Sequence, residues 1–565
     1  MFEPTAAQAR FIEEASPESV LTACPGSGKT HTAVLRFIER CKTGNTGVAF
    51  LSYTNVAVDE AHEVAREFGA NGTIGSPNLV STIDAFFRNF VFDPFVRSAL
   101  PEVPVDIEIF ESRAPAAIAN DLSFDLGGIR KVAAGKAMRD IGLPAWNAVG
   151  FLDASGALRF DFKKNAYSED RVTILPLHNK SIFETKISYL KRGFATYNDI
   201  LIYCYLLLSK KVRRIPEIVA RRFGEIIVDE AQDTSMLQQA MLRTIATAGA
   251  KISYVGDKNQ GIYLFNKANP NYLDALVGHE PHALDVNYRS IKSIIDVVNA
   301  HFAVTMKHVR EKKHDLHGAY VFVGADVDAV SSFESLLSHV AISEKNAVVI
   351  VRSRSHMGKT LALQVTKGWR SIPRLAIESW QRERRGDLEG SLRATVRLIR
   401  DASTAESLEP LDEARLKDLG WRFLRCGRFP DPSNDESPQG WCERLKDALQ
   451  AYVESSGLTT HEKFGNRAAR SGLPPKGGAL DYFSFVRPNI RTTVIHQVKG
   501  ETISAVLVIA PDKQHEAWLS ADPDQEESNI CYVAFTRAAD LLVLHCPTEQ
   551  HAAEWRKRGF LNFPK

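Results

Sequence analysis

The sequence predicts an α/β protein with two α/β domains, each interrupted by a mostly helical insertion. Three observations carry this. A glycine-rich loop joins a short apolar strand, Ser19-Val20-Leu21-Thr22, to an amphipathic helix running from Lys29 to about Arg40. Further apolar strands follow, each ending on a polar tip, as strands of an open sheet do when their C-terminal loops carry chemistry. That rhythm is lost twice, over 92–193 and 374–487, where prolines, glycine pairs and basic helical sequence replace it. The expected spans are therefore 1–91 and 194–283 for the first α/β domain, with 92–193 inserted. The second takes 284–373 and 488–565, with 374–487 inserted.

At 565 residues the chain is too long for one core. Hydrophobic residues make up 44% and charged residues 24%, the balance of a soluble globular protein. The net charge of +2 gives no global pull toward nucleic acid, so any such surface must be local. The seven cysteines (24, 41, 204, 426, 442, 531, 546) contain no C-x-x-C pair, which argues against a disulfide framework or zinc module and for a reducing compartment. Met1-Phe2-Glu3-Pro4-Thr5 lacks a basic segment followed by an apolar core, so no signal peptide is expected. No apolar run approaches the roughly 20 residues of a membrane helix. The expected location is the cytoplasm, away from any membrane.

The strongest single motif is Ala23-Cys24-Pro25-Gly26-Ser27-Gly28-Lys29-Thr30. Gly26 and Gly28 let successive backbone N–H groups turn inward on an anion at a helix N-terminus. Lys29 adds a point charge for the outer phosphates, and Thr30 offers a hydroxyl to Mg²⁺. Ala23 stands where the usual pattern opens with glycine. A nucleoside triphosphate with Mg²⁺ is the expected ligand. Gln8, just upstream, is either a solvated helix residue or a reader of the adenine edge, since a side-chain amide both donates and accepts.

The remaining strands continue the scheme. Residues 47–53 lead to Thr54-Asn55-Val56-Ala57-Val58-Asp59-Glu60, and 79–83 to Asp84-Ala85-Phe86-Phe87. Glu225-Ile226-Ile227-Val228 ends in Asp229-Glu230-Ala231-Gln232-Asp233. Beside a phosphate loop, Asp229 would hold Mg²⁺ and Glu230 would orient or deprotonate the attacking water. Strand 251–256 ends in Asp257-Lys258-Asn259-Gln260, followed by Ile262-Tyr263-Leu264-Phe265. In the first insertion, Arg130, Lys131, Lys136, Arg139, Lys163 and Lys164 either track a phosphate backbone or form a solvated face. The second α/β domain begins near Leu284 and takes strands at 347–351, 492–496 and 505–509. Its insertion is arginine-rich (Arg382, Arg384, Arg385, Arg393, Arg397, Arg400) and ends in turn-rich and flexible sequence.

The order and spacing of these blocks resemble the UvrD/Rep-like branch of superfamily 1 DNA helicases, over roughly 5–90, 197–290, 346–357 and 492–544. Asp229-Glu230-Ala231-Gln232-Asp233, Gly256-Asp257, Gln260-Gly261-Ile262-Tyr263 and Tyr532-Val533-Ala534-Phe535-Thr536-Arg537-Ala538 carry the likeness. The resemblance implies two RecA-like P-loop NTPase domains with ATP between them. It makes Gln8 the adenine reader, Tyr288 a base-stacking ring, Arg289 and Arg537 arginine fingers, and Gln260 a γ-phosphate sensor. It places Gly500, with Lys499, near ATP and DNA together. For the DNA track it nominates Thr54, Asn55, Thr82, Phe86, Tyr263, Phe265 and His496, with core packing the alternative for Phe86 and Phe265. Aromatic stacking on a base is worth about 1–3 kcal/mol without regard to sequence.

Several positions depart from the family pattern. Phe265-Asn266 stands where Trp-Arg is usual, and Asp84 where His is frequent. Glu501-Thr502 follows Lys499-Gly500 in place of Leu-Glu, and Ser528-Asn529 replaces a frequent basic pair. The second insertion also looks shorter than in full-length members. The expectation is an ATP-dependent DNA helicase or translocase moving 3′-to-5′ on single-stranded or tailed duplex DNA. The alternative is a DNA-gated ATPase subunit that regulates a partner nuclease, as in antiphage defence complexes, with little unwinding of its own. A role in DNA repair is compatible with the first.

Overall fold

The computed structural model describes residues 3–14, 16–44, 46–110, 115, 118, 145–163, 171–173, 179–209, 214–263, 268, 271–276, 282–352, 371–384, 388–426, 429–430, 438–468, 490–522 and 525–564. Strands such as Gly47–Ser52 are buried along their whole length, which only a sheet covered on both faces allows. The fold is α/β, with two RecA-like domains and an insertion in each. Backbone contacts divide the chain into two compact units, Met1–Val323 with Ile495–Lys565, and Gly324–Val494.

The first unit holds a parallel sheet ordered His282–Leu284, Glu18–Ala23, Lys251–Gly256, Phe223–Val228, Gly47–Ser52, Leu79–Thr82. Leu284 thus belongs to the edge of this sheet. The register sets Thr22 beside Gly256, Tyr254 beside Val228, and Ser52 beside Thr82. The segments that follow these strands therefore leave from one edge of the sheet, where open α/β sheets bind ligands. Apolar residues on the two faces pack against helices: Phe37, Val34 and Val64 on one side, Leu207, Met241 and Leu242 on the other. The same unit contains the parallel strands Ile503–Ile509, Ala538–Cys546, Gly318–Val323 and Leu561–Asn562, and the pair Val286–Ile291 with Lys307–Arg310.

The first insertion combines helix Asn179–Lys191 with β structure that the sequence reading passed over. Ala148–Leu152, Leu158–Lys163 and Arg171–Thr173 form an antiparallel meander. Residues 148–152 alternate buried and half-buried, the two-residue period of a strand. Helix Tyr197–Ser209 holds both parts: Asn198 brackets the N–H and C=O of Gly150 in the meander, and Asp199 makes a buried ion pair at 2.5 Å with Lys186 of helix Asn179–Lys191. Of the basic residues nominated in this insertion, Arg130, Lys131, Lys136, Arg139 and Lys164 lie outside the described residues.

The second unit contains helix Asp326–His339, the parallel pair Ala347–Val351 with Arg491–Val494, and a helical cluster. Helices Ser371–Arg384, Leu388–Ala402, Glu413–Arg425, Pro438–Ser455 and Phe464–Ala468 supply its apolar core around Phe423, Trp441, Leu445 and Val453. Small hydroxyl residues let the first two helices approach closely, with the Ser379 hydroxyl 3.0 Å from that of Ser391 and 2.6 Å from that of Thr395. Among the described residues no helix is long and apolar enough to cross a membrane.

A histidine–tryptophan cluster in the first unit makes stability depend on pH. Trp555 Nε1–H donates to His515 Nδ1 at 3.2 Å, and His301 Nε2–H donates to the Trp518 carbonyl at 3.0 Å. Burial, with His551 and His545 nearby, pushes His515 down to about 3; burial and Arg558 push His301 down to about 4. An unfolded histidine titrates near pH 6.5, so on acidification the unfolded chain takes up protons first. This contribution to stability is complete above about pH 6.5 and is lost as pH falls toward the folded values. Thermal melting from pH 7.5 to 5 is expected to show a falling midpoint. His515→Asn, which keeps an acceptor for Trp555 but cannot titrate, should flatten the profile.

Candidate functional site

The loop after strand Glu18–Ala23 turns through two left-handed glycines, Gly26 (φ +67°) and Gly28 (φ +79°). Helix Lys29–Thr43 then starts with its amides facing the loop. A β-carbon on Gly26 would fall 2.5 Å from Arg289 Cβ, and one on Gly28 would fall 3.3 Å from Gln8 Nε2. Gln8 is buried against this loop: its Nε2 donates to the Ser27 carbonyl at 3.4 Å while its Oε1 accepts from Thr5 N–H at 2.8 Å. The solvated alternative for Gln8 is thereby set aside. Its helix, Ala6–Glu13, is held by Arg36, whose guanidinium pairs with buried Glu225 at 2.7 Å and donates to the Phe11 carbonyl.

Asp229 and Glu230 leave the end of strand Phe223–Val228. The Asp229 N–H donates to Leu51 O at 2.8 Å, and Glu230 takes a left-handed φ of +54°. That conformation costs a non-glycine residue roughly 1–2 kcal/mol and is tolerated where surroundings over-determine it. Here they do. Lys29 Nζ lies 2.7 Å from Glu230 Oε1, and Gln232 Nε2 donates to Glu230 Oε2. Lys499 pairs with Asp233 and lies 3.9 Å from Glu230. Burial works against charge on Glu230, but Lys29 and Lys499 outweigh it and hold its carboxyl below the usual range. Burial and the Glu230 charge push Asp229 up. Lys29 is opposed by burial too, yet Glu230 and Asp229 keep its ammonium above its ordinary value. Burial, then Asp257, pushes the Cys24 thiol up to about 12, so it adds no charge to the loop.

Two arginines complete the cluster. Arg537 is buried, its Nε donating to Val533 O at 3.1 Å and a terminal nitrogen to Gln260 Oε1 at 3.4 Å. Arg289 donates to Thr536 O at 3.0 Å, while its buried Nε has no hydrogen-bond partner among the described residues. Burial and the neighbouring Arg537 cation lower its pKa to about 9. A buried guanidinium beside a half-buried one whose Nε has no partner among the described residues fits a multiply charged anion. Mg²⁺ takes one or two protein oxygens together with phosphates and water. Thr30 Oγ1, donating to Asp229 Oδ2 at 3.2 Å, offers such a pair. The residues present therefore fit an Mg²⁺–nucleoside triphosphate.

A family model described as the UvrD/REP helicase N-terminal domain matches residues 152–279, a stretch that includes Asp229, Glu230 and Gln260. An ATP-dependent helicase/nuclease subunit of Clostridium acetobutylicum is 30% identical over 171 residues, 27% of this chain and 13% of that protein. DNA helicase II of Escherichia coli is 32% identical over 114 residues, 20% of this chain and 16% of that protein. The ATP-dependent DNA helicase srs2 of Schizosaccharomyces pombe is 31% identical over 138 residues, 24% of this chain and 14% of that protein. This chain is similar to UvrD/Rep-like helicases over that part of its length. It spans only about a seventh of the length of these relatives in alignment, 13% to 16%.

The nominated nucleotide residues gather at one locus, with two at its margin. Tyr288 is 45% exposed, its N–H donating to Gly26 O at 2.9 Å, and Gly500 is exposed with φ +91°. The nominated DNA residues separate. Tyr263, Tyr53 and His496 form an aromatic group, with ring centroids at 4.8 and 5.9 Å from Tyr263, and Lys499 Nζ sits 5.1 Å above the Tyr263 ring. Thr54 and Thr82 cap helices by accepting from Ala57 and Ala85 N–H, and Asn55 is exposed beside Thr54. Phe86 must be corrected. It is fully buried against Phe87, Phe90 and Phe223 and has no free face for a base. Phe265 lies outside the described residues. Asp84, in the place often held by His, accepts from Gln238 Nε2 at 2.7 Å.

Sequence reasoning gave no role to Asn287 or Gln232, and placed Lys499 near ATP and DNA without naming its carboxylate partners. Asn287 is fully buried; its Nδ2 donates to Pro25 O at 2.7 Å and its Oδ1 accepts from Arg289 and Ser290 N–H, each at 2.8 Å. Its position before Tyr288-Arg289 was the available signal. The tight approach at Gly26 gives a direct test. Gly26→Ala meets both a left-handed φ and a 2.5 Å contact with Arg289. It is expected to cost about 2–4 kcal/mol and lower the melting temperature by several degrees in a thermal scan.

Proposed function

We propose that this protein is an ATP-dependent DNA helicase or translocase that works in the reducing interior of the cell. The observation that carries the reading is the convergence of Lys29, Asp229, Glu230, Gln260, Arg289 and Arg537 on one glycine-rich loop. Thr30 and Asp229 would hold Mg²⁺, whose chemistry when bound would be to offset phosphate charge. Backbone amides of 24–30 would cradle those phosphates, Lys29 would exchange Glu230 for them, and Gln8 and Tyr288 would take the base. Glu230, ionised at neutral pH and steadied by Gln232, would then orient the attacking water. Arg289 and Arg537 would stabilise charge on the transferring phosphoryl group, an effect of about 10³–10⁵ in rate where measured.

Single-stranded DNA would run past Thr54, Asn55, Thr82, Tyr263 and His496, moving 3′-to-5′ relative to the protein. Lys499, which touches both the Tyr263 ring and the Asp233–Glu230 pair, would tie strand occupancy to hydrolysis. A second reading has its own support. The Clostridium acetobutylicum relative is named for both helicase and nuclease. On that reading this chain is a DNA-gated ATPase acting with a partner nuclease, in repair or antiphage defence, and unwinds little by itself.

ATP hydrolysis by the purified chain is expected to rise at least about tenfold with single-stranded DNA, and a rate indifferent to any strand would exclude both readings. Tailed-duplex unwinding separates them: displacement of a strand favours the motor, and hydrolysis without displacement favours the gated ATPase. Lys29→Ala should abolish turnover with weakened ATP binding. Glu230→Gln should lower kcat by about 10²–10³ while ATP still binds, as judged by equilibrium titration.

A further inference from the structure

We infer that Asn529 and Tyr532, on the helix Glu526–Phe535 that leads into Arg537, are positioning residues for Gln260. The inference rests on the reading that Gln260 faces the terminal phosphate of ATP, and goes beyond it by assigning what aims that side chain. Gln260 stands in a short turn, Lys258–Gln260, with no sheet partner to fix it. Its Nε2 donates to Asp257 Oδ2 at 2.8 Å, which sets the amide so that Oε1 accepts from Arg537 at 3.4 Å. The orientation of Gln260 therefore depends on where the Asp257 carboxylate is held.

Asp257 is held from both sides. One carboxylate oxygen accepts from Asn259 N–H at 3.1 Å, and Oδ2 accepts from the Tyr532 hydroxyl at 3.3 Å. One turn earlier on the same helix, Asn529 Nδ2 donates to Gly261 O at 3.0 Å, gripping the far end of the turn. Both side chains are 2% exposed, so neither contact competes with bulk water. A three-residue spacing puts 529 and 532 on one helix face, and Arg537 reaches the same turn from just beyond the helix end. The helix that leads into Arg537 therefore grips the Gln260 turn at two points, so loosening either contact would disturb how Gln260 meets Arg537.

Gly256, just before the turn, shows how tightly the neighbourhood is packed. A β-carbon there would lie 2.5 Å from Gln232 Oε1, the same atom that accepts from Asp257 N–H at 3.1 Å. The turn is thus confined on the Glu230 side by Gln232 and on the Arg537 side by Tyr532.

The test is steady-state ATP hydrolysis with saturating single-stranded DNA for wild type, Tyr532→Phe, Asn529→Ala, Gln260→Ala and the double variant Tyr532→Phe/Gln260→Ala. Tyr532→Phe deletes only the hydroxyl. It is expected to lower kcat by about tenfold with KM for ATP within about twofold, the pattern of an interaction realised in the transition state. Asn529→Ala should show the same split. In the double variant the Tyr532 change should add nothing to the loss from Gln260→Ala, whereas a merely structural role would multiply the two. Thermal melting sets the folded fraction for each protein, and should Tyr532→Phe fail to fold, Asn529→Ala carries the comparison. An active wild type with both single variants within about twofold in kcat, or with multiplicative losses, overturns the inference alone. A wild type with no hydrolysis overturns the parent reading, and the inference falls with it.

Discussion

The backbone at Gly26 lies so close to Arg289 that no β-carbon fits between them, and the rest of the site is built outward from that approach. A left-handed glycine lets the loop turn its amides inward and leaves its outer side bare for the segment 286–290. Asn287 locks the two together, with its amide nitrogen on the Pro25 carbonyl and its oxygen on the amides of Arg289 and Ser290. Arg289 and Ser290 bond onward to the carbonyls of Thr536 and Ala538. The segment that carries Arg537 is thereby registered against the phosphate-type loop by hydrogen bonds rather than by apolar packing alone. Hydrogen bonds are directional, so they fix where the guanidinium lies as well as that it is near.

Charge compensation is the second constraint. Lys29, Lys499, Asp229, Glu230, Asp233, Arg289 and Arg537 are all largely withdrawn from water within one neighbourhood. A buried charge is tolerated only when paired and hydrogen-bonded. The carboxylates satisfy this through the two lysines, through Gln232 and through the backbone. The arginines do so incompletely, since like charges adjoin and the Arg289 Nε has no partner among the described residues. In the proposed reading that imbalance is what a triphosphate would correct, and the Lys29–Glu230 pair would open as it does.

The aromatic group of Tyr53, Tyr263 and His496 meets this cluster through Lys499, which is bonded to Asp233 and to the Gln260 carbonyl and lies over the Tyr263 ring. A single ammonium thus has partners in both regions. Any rearrangement of the rings shifts a charge beside Glu230, which gives the proposed link between strand and hydrolysis a physical carrier.

Residue order alone was enough for the α/β class, the ends of the motif-bearing strands and the residue types at each of them. Spacing sufficed there because a strand, a glycine turn and a helix N-terminus are local structures whose geometry follows from near neighbours. It also made Lys29, Asp229 and Glu230 legible, since each sits in a contiguous motif. The antiparallel meander at 148–173 was not legible, because a short alternating run such as 148–152 reads equally as loop or helix until its partners are known. Contacts formed on folding settled that Phe86 is core, that Gln8 faces the loop, that Asn287 and Gln232 brace the charge cluster, and that Lys499 pairs with Asp233. Those outcomes depend on burial and on contacts between residues as much as 277 positions apart, as for Arg537 and Gln260. Chain proximity carries no information about such pairs; the packing of parallel strands, which brings their C-terminal ends to one edge, creates them.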